Sequence, residues 1–546
     1  MHLVYNISKS DGAGNLYKGD EGMGTYFNPD NGSFRQAVRS EIYVDKTGLL
    51  KYTNKFLNTE NNCIALSHAR RFGKSQAAGM LDAYYSLGSD SRELFAPFEI
   101  AKDSEYELHL NKYNVIHLDV SSFERTYKND IVAGIQNILY DDILRELPDL
   151  NVKDRPITAI LSDVYQKTGH QLVIIIDEWD CVVRNYVGKP DVVHEYLQFL
   201  HDLFKSEESK SFLALAYITG ILPVKKIENE SALNNFREYT MLNSKKLTPY
   251  YGFTEKEVKD LCQRYSMNFD SVRTWYNGYL INGQHMYNPN SVVNAMLDES
   301  LESYWKNTSS FTMINKLIQL NYKGLKDDIL RMMAGGRADV NVLLFQNDFS
   351  NIASKDDALT ALIHLGYLGY DRENKEAYLP NYEVATAFQA ALETGTWQEV
   401  AKSISNCDIL LKATIRKHAE KVAEMIEIAH ESYASIFKYN DENSLSCVLT
   451  MAYFTAPAYY TIIREMPAGK GFADMVLLPR RDSGNKPAMV IELKYDKSAD
   501  TAIRQIKEKR YAGALNDYGD KVLLVGINYD KETKKHECVI EEYSIL

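Results

Sequence analysis

The stretch SHARRFGKSQAAG at residues 67–79 decides how the first half of this chain is interpreted. Its second half places Gly73, Lys74 and Ser75 at the start of a helical pattern. A phosphate-binding loop needs backbone N–H groups in a tight turn, a lysine for the β- and γ-phosphates and a hydroxyl for Mg²⁺. The regular pattern has a glycine at position 68, where this chain has His68. A GKS tripeptide alone is therefore weak evidence in a chain of 546 residues.

Short apolar runs around this loop supply the missing context. Each run is separated from the next by a longer helical pattern, which predicts a parallel sheet with helices on both faces. The runs are CIALS (63–67), NVIHLDV (114–120), QLVIIID (171–177) and SFLALAYITG (211–220). The first run ends directly before the loop, so the loop lies between a strand and a helix, as the motif requires.

Two acids, Asp177 and Glu178, end the third of these strands. The carboxyl edge of a parallel sheet is where a nucleotide and its Mg²⁺ bind. We expect Asp177 to hold Mg²⁺ through water and Glu178 to orient or activate the attacking water. The alternative is that the acids cap the next helix, a frequent role for acids after a strand. The order of the two motifs favours a nucleotide site.

An ordered set of motifs resembles a known family. ARRFGKS (69–75), preceded by YVDKTGLL (43–50), is similar to the AAA-ATPase-like proteins of bacteria and archaea, whose loop reads close to RPRRFGKS. Further matches follow in order as IIIDEWD, YITGILPVKK, ALNNF, YYGFTEKEV, WYNGY, YNPNSV, YWKNTS, and GYLGY with LPNYEV. Together they span roughly residues 25 to 395.

This resemblance implies a P-loop NTPase core with a helical extension, and ATP with Mg²⁺ as its ligands. Lys74 and Ser75 would contact the phosphates and Mg²⁺, Asp177 and Glu178 would be the acidic pair, and Thr219 would sense the γ-phosphate. His68 and Ala69 depart from the family's usual Arg-Pro start. Arg70 and Arg71 could compensate with positive charge at the nucleotide, or could pair with surface acids.

The C-terminal part offers a second set of charged residues. Asp474 lies in the predicted strand FADMVLL (472–478), and Glu492 and Lys494 lie in the predicted strand AMVIELKY (488–495). Side chains alternate along a strand, so positions 492 and 494 share one face. Metal-dependent phosphodiester cleavage needs carboxylates that converge on Mg²⁺ and a lysine beside them. An ordinary exposed strand face is the alternative, but the apolar flank AMVI favours a half-buried charged face.

This order of elements resembles the PD-(D/E)XK nuclease superfamily, although Ala473 stands where the motif has proline. The resemblance implies that Asp474 and Glu492 hold Mg²⁺, with Mn²⁺ as a possible substitute, and that Lys494 positions the attacking hydroxide. On the next helix Gln505 would be an orienting residue, with Tyr511 beyond it. Glu442 could be an additional acid or could interact with a helix dipole.

Composition limits the classes of function. The net charge of -12 argues against indiscriminate coating of nucleic acid, yet Lys and Arg outnumber Asp and Glu between residues 464 and 510. That local basicity favours contacts to a phosphate backbone over base-specific contacts, and thus nucleic acid as a partner. Of the two polymers we expect DNA rather than RNA. Six scattered cysteines fit neither a zinc module nor a disulfide scaffold. No apolar segment is long enough for a membrane, so we expect a cytoplasmic protein.

We therefore expect four parts: an N-terminal arm at 1–24, an AAA-ATPase-like P-loop domain at 25–250, a helical or winged-helix-like region at 251–400, and an α+β PD-(D/E)XK nuclease-like domain at 405–546. The predicted function is ATP binding and hydrolysis joined to a Mg²⁺-dependent nuclease, in genome defence or mobile-element biology. The alternative is a nucleotide-gated, nucleic-acid-binding regulator whose nuclease-like domain is inactive.

Overall fold

The computed structural model describes residues 25–186, 188–224, 233–305, 310–320, 322–343, 345, 352–394, 402, 404–433, 442–468, 471–480, 483–509, 515 and 521–544. The predicted N-terminal arm at 1–24 and Tyr511 lie outside these residues. The chain forms two compact units. The first draws on residues up to 258, on 279–293 and on 341–366, and the second on 259–278, on 294–340 and on residues from 367 onward.

A five-stranded parallel sheet forms the centre of the first unit, with the order β2-β3-β4-β1-β5. The strands are β1 (Cys63–Ser67), β2 (Asn114–Asp119), β3 (Leu172–Asp177), β4 (Leu213–Gly220) and β5 (Arg237–Thr240). All residues of β1, β3 and β4 are buried, as expected for a sheet covered on both faces. The predicted parallel sheet is confirmed, and β4 lies between the strand of the loop and the strand of the acids.

Helices cover both faces of this sheet, and their apolar side chains form two core clusters with it. The helices are Gly32–Arg39, Gly48–Asn54, Lys74–Tyr85, Arg92–Phe95, Tyr106–His109, Val120–Tyr127, Ile131–Glu146, Ile157–Thr168, Cys181–Asn185, Pro190–Lys205, Ser209–Phe212 and Lys355–Leu365. A small antiparallel sheet has the order β6-β8-β7, from β6 (Phe253–Thr254), β7 (Tyr279–Ile281) and β8 (Gln284–Tyr287). The helices Glu255–Arg264 and Pro289–Leu297 contribute to both units.

The second unit contains two sheets. The smaller has the order β10-β11-β9, from β9 (Arg337–Asp339), β10 (Gly369–Asp371) and β11 (Glu376–Tyr378). Its strands β10 and β11 form an antiparallel hairpin within the middle region. The larger sheet has the order β12-β13-β14-β15-β16, from β12 (Tyr460–Ala468), β13 (Gly471–Pro479), β14 (Ala488–Tyr495), β15 (Lys521–Asp530) and β16 (Lys535–Ser544). The helices are Phe269–Tyr276, Ser310–Gln319, Leu325–Met333, Tyr382–Thr394, Cys407–Ile415, Ala419–Tyr433, Glu442–Ala452 and Ala499–Glu508.

The larger sheet is mixed, because only β14 and β15 run parallel. Parallel neighbours need a crossover, and the helix Ala499–Glu508 lies in that connection. Gly526 on β15 allows the helix to approach, since a Cβ there would lie 2.4 Å from the backbone oxygen of Ala499. The predicted α+β organisation of this part is therefore confirmed.

A long amphipathic stretch of the sequence runs from about Asp408 to Phe437. Its described part forms two helices, Cys407–Ile415 and Ala419–Tyr433. Lys417, between them, has a left-handed backbone with φ of 62°, which ends the first helix. Among the described helices, none combines the length and the apolar character that crossing a membrane requires.

Candidate functional site

The loop before the helix Lys74–Tyr85 has two residues with left-handed backbone, Arg71 (φ 67°) and Gly73 (φ 85°). His68, where the regular motif has glycine, does not belong to the described residues with positive φ. Only a left-handed conformation strains a side chain, so histidine at this position causes no backbone strain. The missing glycine is therefore compatible with the loop that this chain forms.

His68 anchors the loop to its surroundings. The side chain is fully buried, and its Nε2 is hydrogen-bonded to the hydroxyl of Ser244. Its ring lies 6.0 Å from the ring of Phe72 and 5.5 Å from that of Tyr251, measured between centroids. Burial, together with the nearby charge of Lys74, lowers the pKa of His68 to about 3. The imidazole is consequently neutral at physiological pH and serves as a packed, hydrogen-bonded anchor.

The ammonium of Lys74 is held by the loop itself. Nζ donates hydrogen bonds to the backbone oxygens of His68 and Ala69, both at 3.0 Å. Burial lowers the pKa of Lys74, and the carboxylates of Glu178 and Asp177 offset part of that shift. A phosphate that binds here must accept hydrogen bonds from the N–H groups of Lys74 that now donate to these two backbone oxygens.

The other loop residues face solvent to different degrees. Ser75, the second residue of the helix Lys74–Tyr85, is exposed, as is Arg71, while Arg70 is half-buried. Their position next to Gly73 agrees with the predicted arrangement of the loop. Their roles toward Mg²⁺ and phosphate stay predictions.

A side-chain hydrogen bond connects the acidic end of β3 with the end of β4. Thr219 donates a hydrogen bond from its hydroxyl to Asp177 Oδ1, and the backbone N–H of Glu178 donates to the same oxygen at 3.0 Å. The next helix, Cys181–Asn185, begins after Asp180 and has no side-chain cap hydrogen bond. The geometry thus brings Asp177, Glu178 and Thr219 together, and these acids do not cap that helix.

Two further residues at this end escaped the sequence interpretation. Arg184 donates from Nη2 to Glu178 Oε2 at 2.7 Å and from Nε to Asp180 Oδ2 at 2.8 Å. Asp180 Oδ2 also accepts from the backbone N–H groups of Ile221 (3.1 Å) and Leu222 (2.8 Å). Burial alone would lower the pKa of Arg184, but Asp180 and Glu178 raise it. The available signal was the spacing of four between an acid and an arginine in DEWDCVVR.

In the second unit, strand pairing brings Asp474 and Glu492 together. Met475 lies opposite Ile491 at one end of the paired segment, and the two acids are the next residues along the two strands. Asp474 Oδ2 accepts a hydrogen bond from the backbone N–H of Leu493 at 2.7 Å. The two carboxyl groups thus meet at the same end of the β13-β14 pair.

Glu492 is the most constrained group of this site. The side chain is 2% exposed, and Oε1 accepts hydrogen bonds from Lys494 Nζ (3.0 Å) and from Gln505 Nε2. Oε2 is buried and has no hydrogen-bond partner among the residues that the structure describes. Burial, with the negative charge of Asp474, raises the pKa of Glu492 to about 7, although Lys494 opposes the shift. Lys494 also donates to the backbone oxygen of Leu493 at 2.8 Å.

These groups suit a hard cation such as Mg²⁺. A buried carboxylate oxygen without a donor, beside a second carboxylate, is an available oxygen ligand. Within the described part of the chain, no group of three or more His, Cys, Asp or Glu residues is arranged to hold a metal. An ion between Asp474 and Glu492 would therefore complete its coordination with backbone oxygen, water or substrate. Glu442 is the first residue of the helix Glu442–Ala452, and its side chain is not among those that the structure describes.

Comparison with known families agrees with the two predicted regions and with their order. Residues 33–228 match the family described as "Predicted AAA-ATPase", and residues 440–538 match the PD-(D/E)XK nuclease superfamily. Each match covers one region of the chain, and the two regions follow one another in this order. Its AAA-ATPase region contains the loop with Lys74 and the acids at the end of β3, and its PD-(D/E)XK region contains Asp474, Glu492 and Lys494.

One relative and three solved structures are similar to the chain. An uncharacterized protein in the vnfD 5′ region of Azotobacter chroococcum mcd 1 is 21% identical over 514 residues, which cover 90% of this chain and 93% of that protein. The Aeropyrum pernix ORC2 protein in ADPNP-ADP complexes is 12% identical, with 68% of this chain and 100% of that chain covered and a TM-score of 0.30. Cdc6p from Pyrobaculum aerophilum is 10% identical, with 67% and 97% covered and a TM-score of 0.24. A STAND protein with a tetratricopeptide repeat sensor from Pyrococcus horikoshii is 14% identical, with 77% and 55% covered and a TM-score of 0.23.

Proposed function

We propose that this chain hydrolyses ATP in its AAA-ATPase region and cleaves phosphodiester bonds of nucleic acid, with Mg²⁺, in its PD-(D/E)XK region. The observation that carries the proposal is the buried Oε2 of Glu492, next to Asp474 and Lys494, to which no residue in the described part of the chain donates. A buried carboxylate oxygen without a donor is costly unless a ligand uses it. The match of residues 440–538 to the PD-(D/E)XK nuclease superfamily supports the same proposal.

Each residue of the PD-(D/E)XK site has a distinct task in this proposal. Bound Mg²⁺ supplies Lewis-acid stabilisation of developing charge and favours ionisation of a water. Asp474 and Glu492 hold the ion, and Glu492 must lose its proton to do so because its pKa is raised to about 7. Lys494 directs the attacking hydroxide, and Gln505 fixes the orientation of the Glu492 carboxylate through Oε1. Mn²⁺ has the same preference for oxygen ligands and can replace Mg²⁺.

In the AAA-ATPase region the proposed steps start at the loop. Lys74 exchanges its two backbone acceptors for phosphate oxygens of ATP, and Arg70 and Arg71 add positive charge. Ser75 and Asp177 hold Mg²⁺, while Thr219, bonded to Asp177, contacts the γ-phosphate. Glu178 orients the attacking water, which we take as the step that sets the rate of hydrolysis.

The polymer that is cut is DNA in this proposal. The excess of Lys and Arg over Asp and Glu between residues 464 and 510 surrounds the PD-(D/E)XK site in sequence and suits contacts to a phosphate backbone. We place the protein in the cytoplasm, with a role in genome defence or mobile-element biology.

A cleavage assay tests the nuclease part. The full chain is incubated with plasmid DNA, linear duplex, single-stranded DNA and RNA, with Mg²⁺, Mn²⁺ or EDTA. We expect metal-dependent cleavage of DNA that falls about 100-fold in Asp474→Asn and in Lys494→Met, because each loses charge stabilisation of the transition state. Lys535→Met, an exposed lysine on β16, is the matched control and keeps full activity.

Two outcomes would refute this part. Equal cleavage by Asp474→Asn and the unchanged chain would point to a contaminating nuclease. No cleavage of any substrate, with retained DNA binding that responds to ATP, would establish the alternative of a nucleotide-gated regulator with an inactive nuclease-like domain.

Hydrolysis of ATP is tested separately. Glu178→Gln should lower kcat about 100-fold and keep ATP affinity, whereas Lys74→Ala should lose ATP affinity. Glu195→Gln changes an exposed acid of the helix Pro190–Lys205 and is the control. Cleavage of DNA is then compared with ATP, with ADP and in Lys74→Ala, because coupling of the two activities requires that these conditions differ.

A further inference from the structure

Arg184 forms a buried bridge between two acids of the AAA-ATPase region. Its side chain is only 7% exposed, and its guanidinium contacts Glu178 Oε2 at 2.7 Å and Asp180 Oδ2 at 2.8 Å. The planar guanidinium can serve both acids at once, because its N–H groups form a rigid fork. A buried arginine in this position therefore fixes the distance between the two carboxylates.

Asp180 in turn is attached to the segment that follows β4. The same Oδ2 accepts from the backbone N–H groups of Ile221 and Leu222. Gly220 permits this approach, since a Cβ there would lie 2.7 Å from Asp180 Oδ1. The chain of contacts thus runs from the end of β4, next to Thr219, through Asp180 to Arg184.

The backbone conformation of Glu178 is the reason why its side chain needs support from Arg184. Its φ of 55° places it in the left-handed region, which is strained for a residue with a side chain. Arg184 occupies Oε2 of its carboxylate and leaves Oε1 able to accept a hydrogen bond from water. The carboxylate is therefore held through one oxygen, while its side chain remains 25% exposed.

We propose that Arg184 is a positioning residue for ATP hydrolysis, which holds the Glu178 carboxylate in one orientation and ties it through Asp180 to the strand end that carries Thr219. This inference rests on the proposed function, in which Glu178 orients the attacking water. The end of β4, whose Thr219 contacts the γ-phosphate, then moves together with the Glu178 carboxylate, which directs the water.

Arg184→Lys tests this arrangement, because lysine keeps the positive charge but cannot form the fork. We expect kcat for ATP to fall roughly ten- to a hundredfold, as for a small displacement of a catalytic group. ATP affinity, followed with a fluorescent ATP analogue, and the melting temperature should change little. In a Glu178→Gln background the same substitution should lower kcat no further, since both changes remove one function. Arg125→Lys, on the exposed side of the helix Val120–Tyr127, is the control.

A double variant that leaves the net charge unchanged is a second test in case Arg184→Lys does not fold. Asp180→Asn with Arg184→Gln removes both buried charges together, so neither is left unpaired. This double variant should fold and bind ATP with a similarly reduced kcat.

The outcomes separate the inference from the function on which it rests. If the unchanged chain shows no ATP turnover, the proposed hydrolysis and the inference both fail. If Glu178→Gln is impaired while Arg184→Lys and the double variant keep the full kcat, the inference alone fails. It also fails if the substitutions lower ATP affinity and melting temperature as strongly as kcat, because Arg184 is then only a structural residue.

Discussion

Replacing Glu492 by glutamine should remove a pH dependence from the stability of the PD-(D/E)XK unit. The folded protein raises the pKa of this carboxyl from 4.5 to about 7, so the folded state binds the proton more tightly than the unfolded chain. The free energy of unfolding therefore falls as pH rises from about 4.5 to about 7 and is level above that. At 1.36 kcal/mol for each pH unit, the loss is about 3 kcal/mol.

Glutamine resembles the protonated carboxyl and keeps an oxygen that accepts from Lys494 and Gln505. The Glu492→Gln variant should match the unchanged chain at pH 5 and exceed it in stability at pH 8. Thermal unfolding from pH 5 to 8, with and without Mn²⁺, measures this. Mn²⁺ should stabilise only the unchanged chain, and mainly above pH 7. Parallel melting curves for the two proteins at all pH values, with equal shifts by Mn²⁺, would refute the reasoning.

Three other substitutions give direct tests. His68→Gly restores the glycine of the motif but removes a packed ring. We therefore expect the free energy of unfolding to fall by about 2 kcal/mol or more and ATP binding to weaken. An unchanged melting temperature and an unchanged ATP affinity would contradict this. Asp474→Asn should abolish the stabilisation by Mn²⁺ and leave ATP turnover at its normal rate, and a retained Mn²⁺ shift would exclude Asp474 as a ligand. Gly526→Ala should destabilise the second unit by about 1–3 kcal/mol, since its Cβ would lie 2.4 Å from the oxygen of Ala499, and calorimetry would show it.

The strands that the sequence predicts well are those buried on both faces. CIALS coincides with β1 (Cys63–Ser67), and AMVIELKY with β14 (Ala488–Tyr495), because continuous apolar residues leave little choice of structure. β5, with the sequence REYT, has mostly half-buried or exposed residues at a sheet edge, and its polar pattern carries no strand signal. The break at Lys417 has no glycine or proline to announce it.

In the candidate sites, too, some features follow from the sequence and others only from the structure. Alternation along a strand was enough to place Glu492 and Lys494 on one face, and the register places Asp474 beside them. The raised pKa of Glu492 depends on its burial and on the nearby charge of Asp474, and spacing in the sequence shows neither. The contact of Gln505 with Oε1 is likewise a feature of the structure alone. The bridge from Arg184 to Asp180 likewise depends on the backbone of Ile221 and Leu222, about forty residues further along the chain.

The two carbonyl contacts of Lys74 also bear on selectivity among anions. An ammonium that is buried and already hydrogen-bonded attracts passing polyanions weakly, because its charge is neither solvent-facing nor free of acceptors. A ligand that replaces both carbonyls must present phosphate oxygens within the narrow loop, next to Gly73 and the start of the helix Lys74–Tyr85. A DNA backbone gains little from this lysine, because the ammonium is buried and already donates to two backbone oxygens. In a protein whose other region is proposed to hold DNA, the loop thereby keeps nucleotide and polymer from competing for the same positive charge.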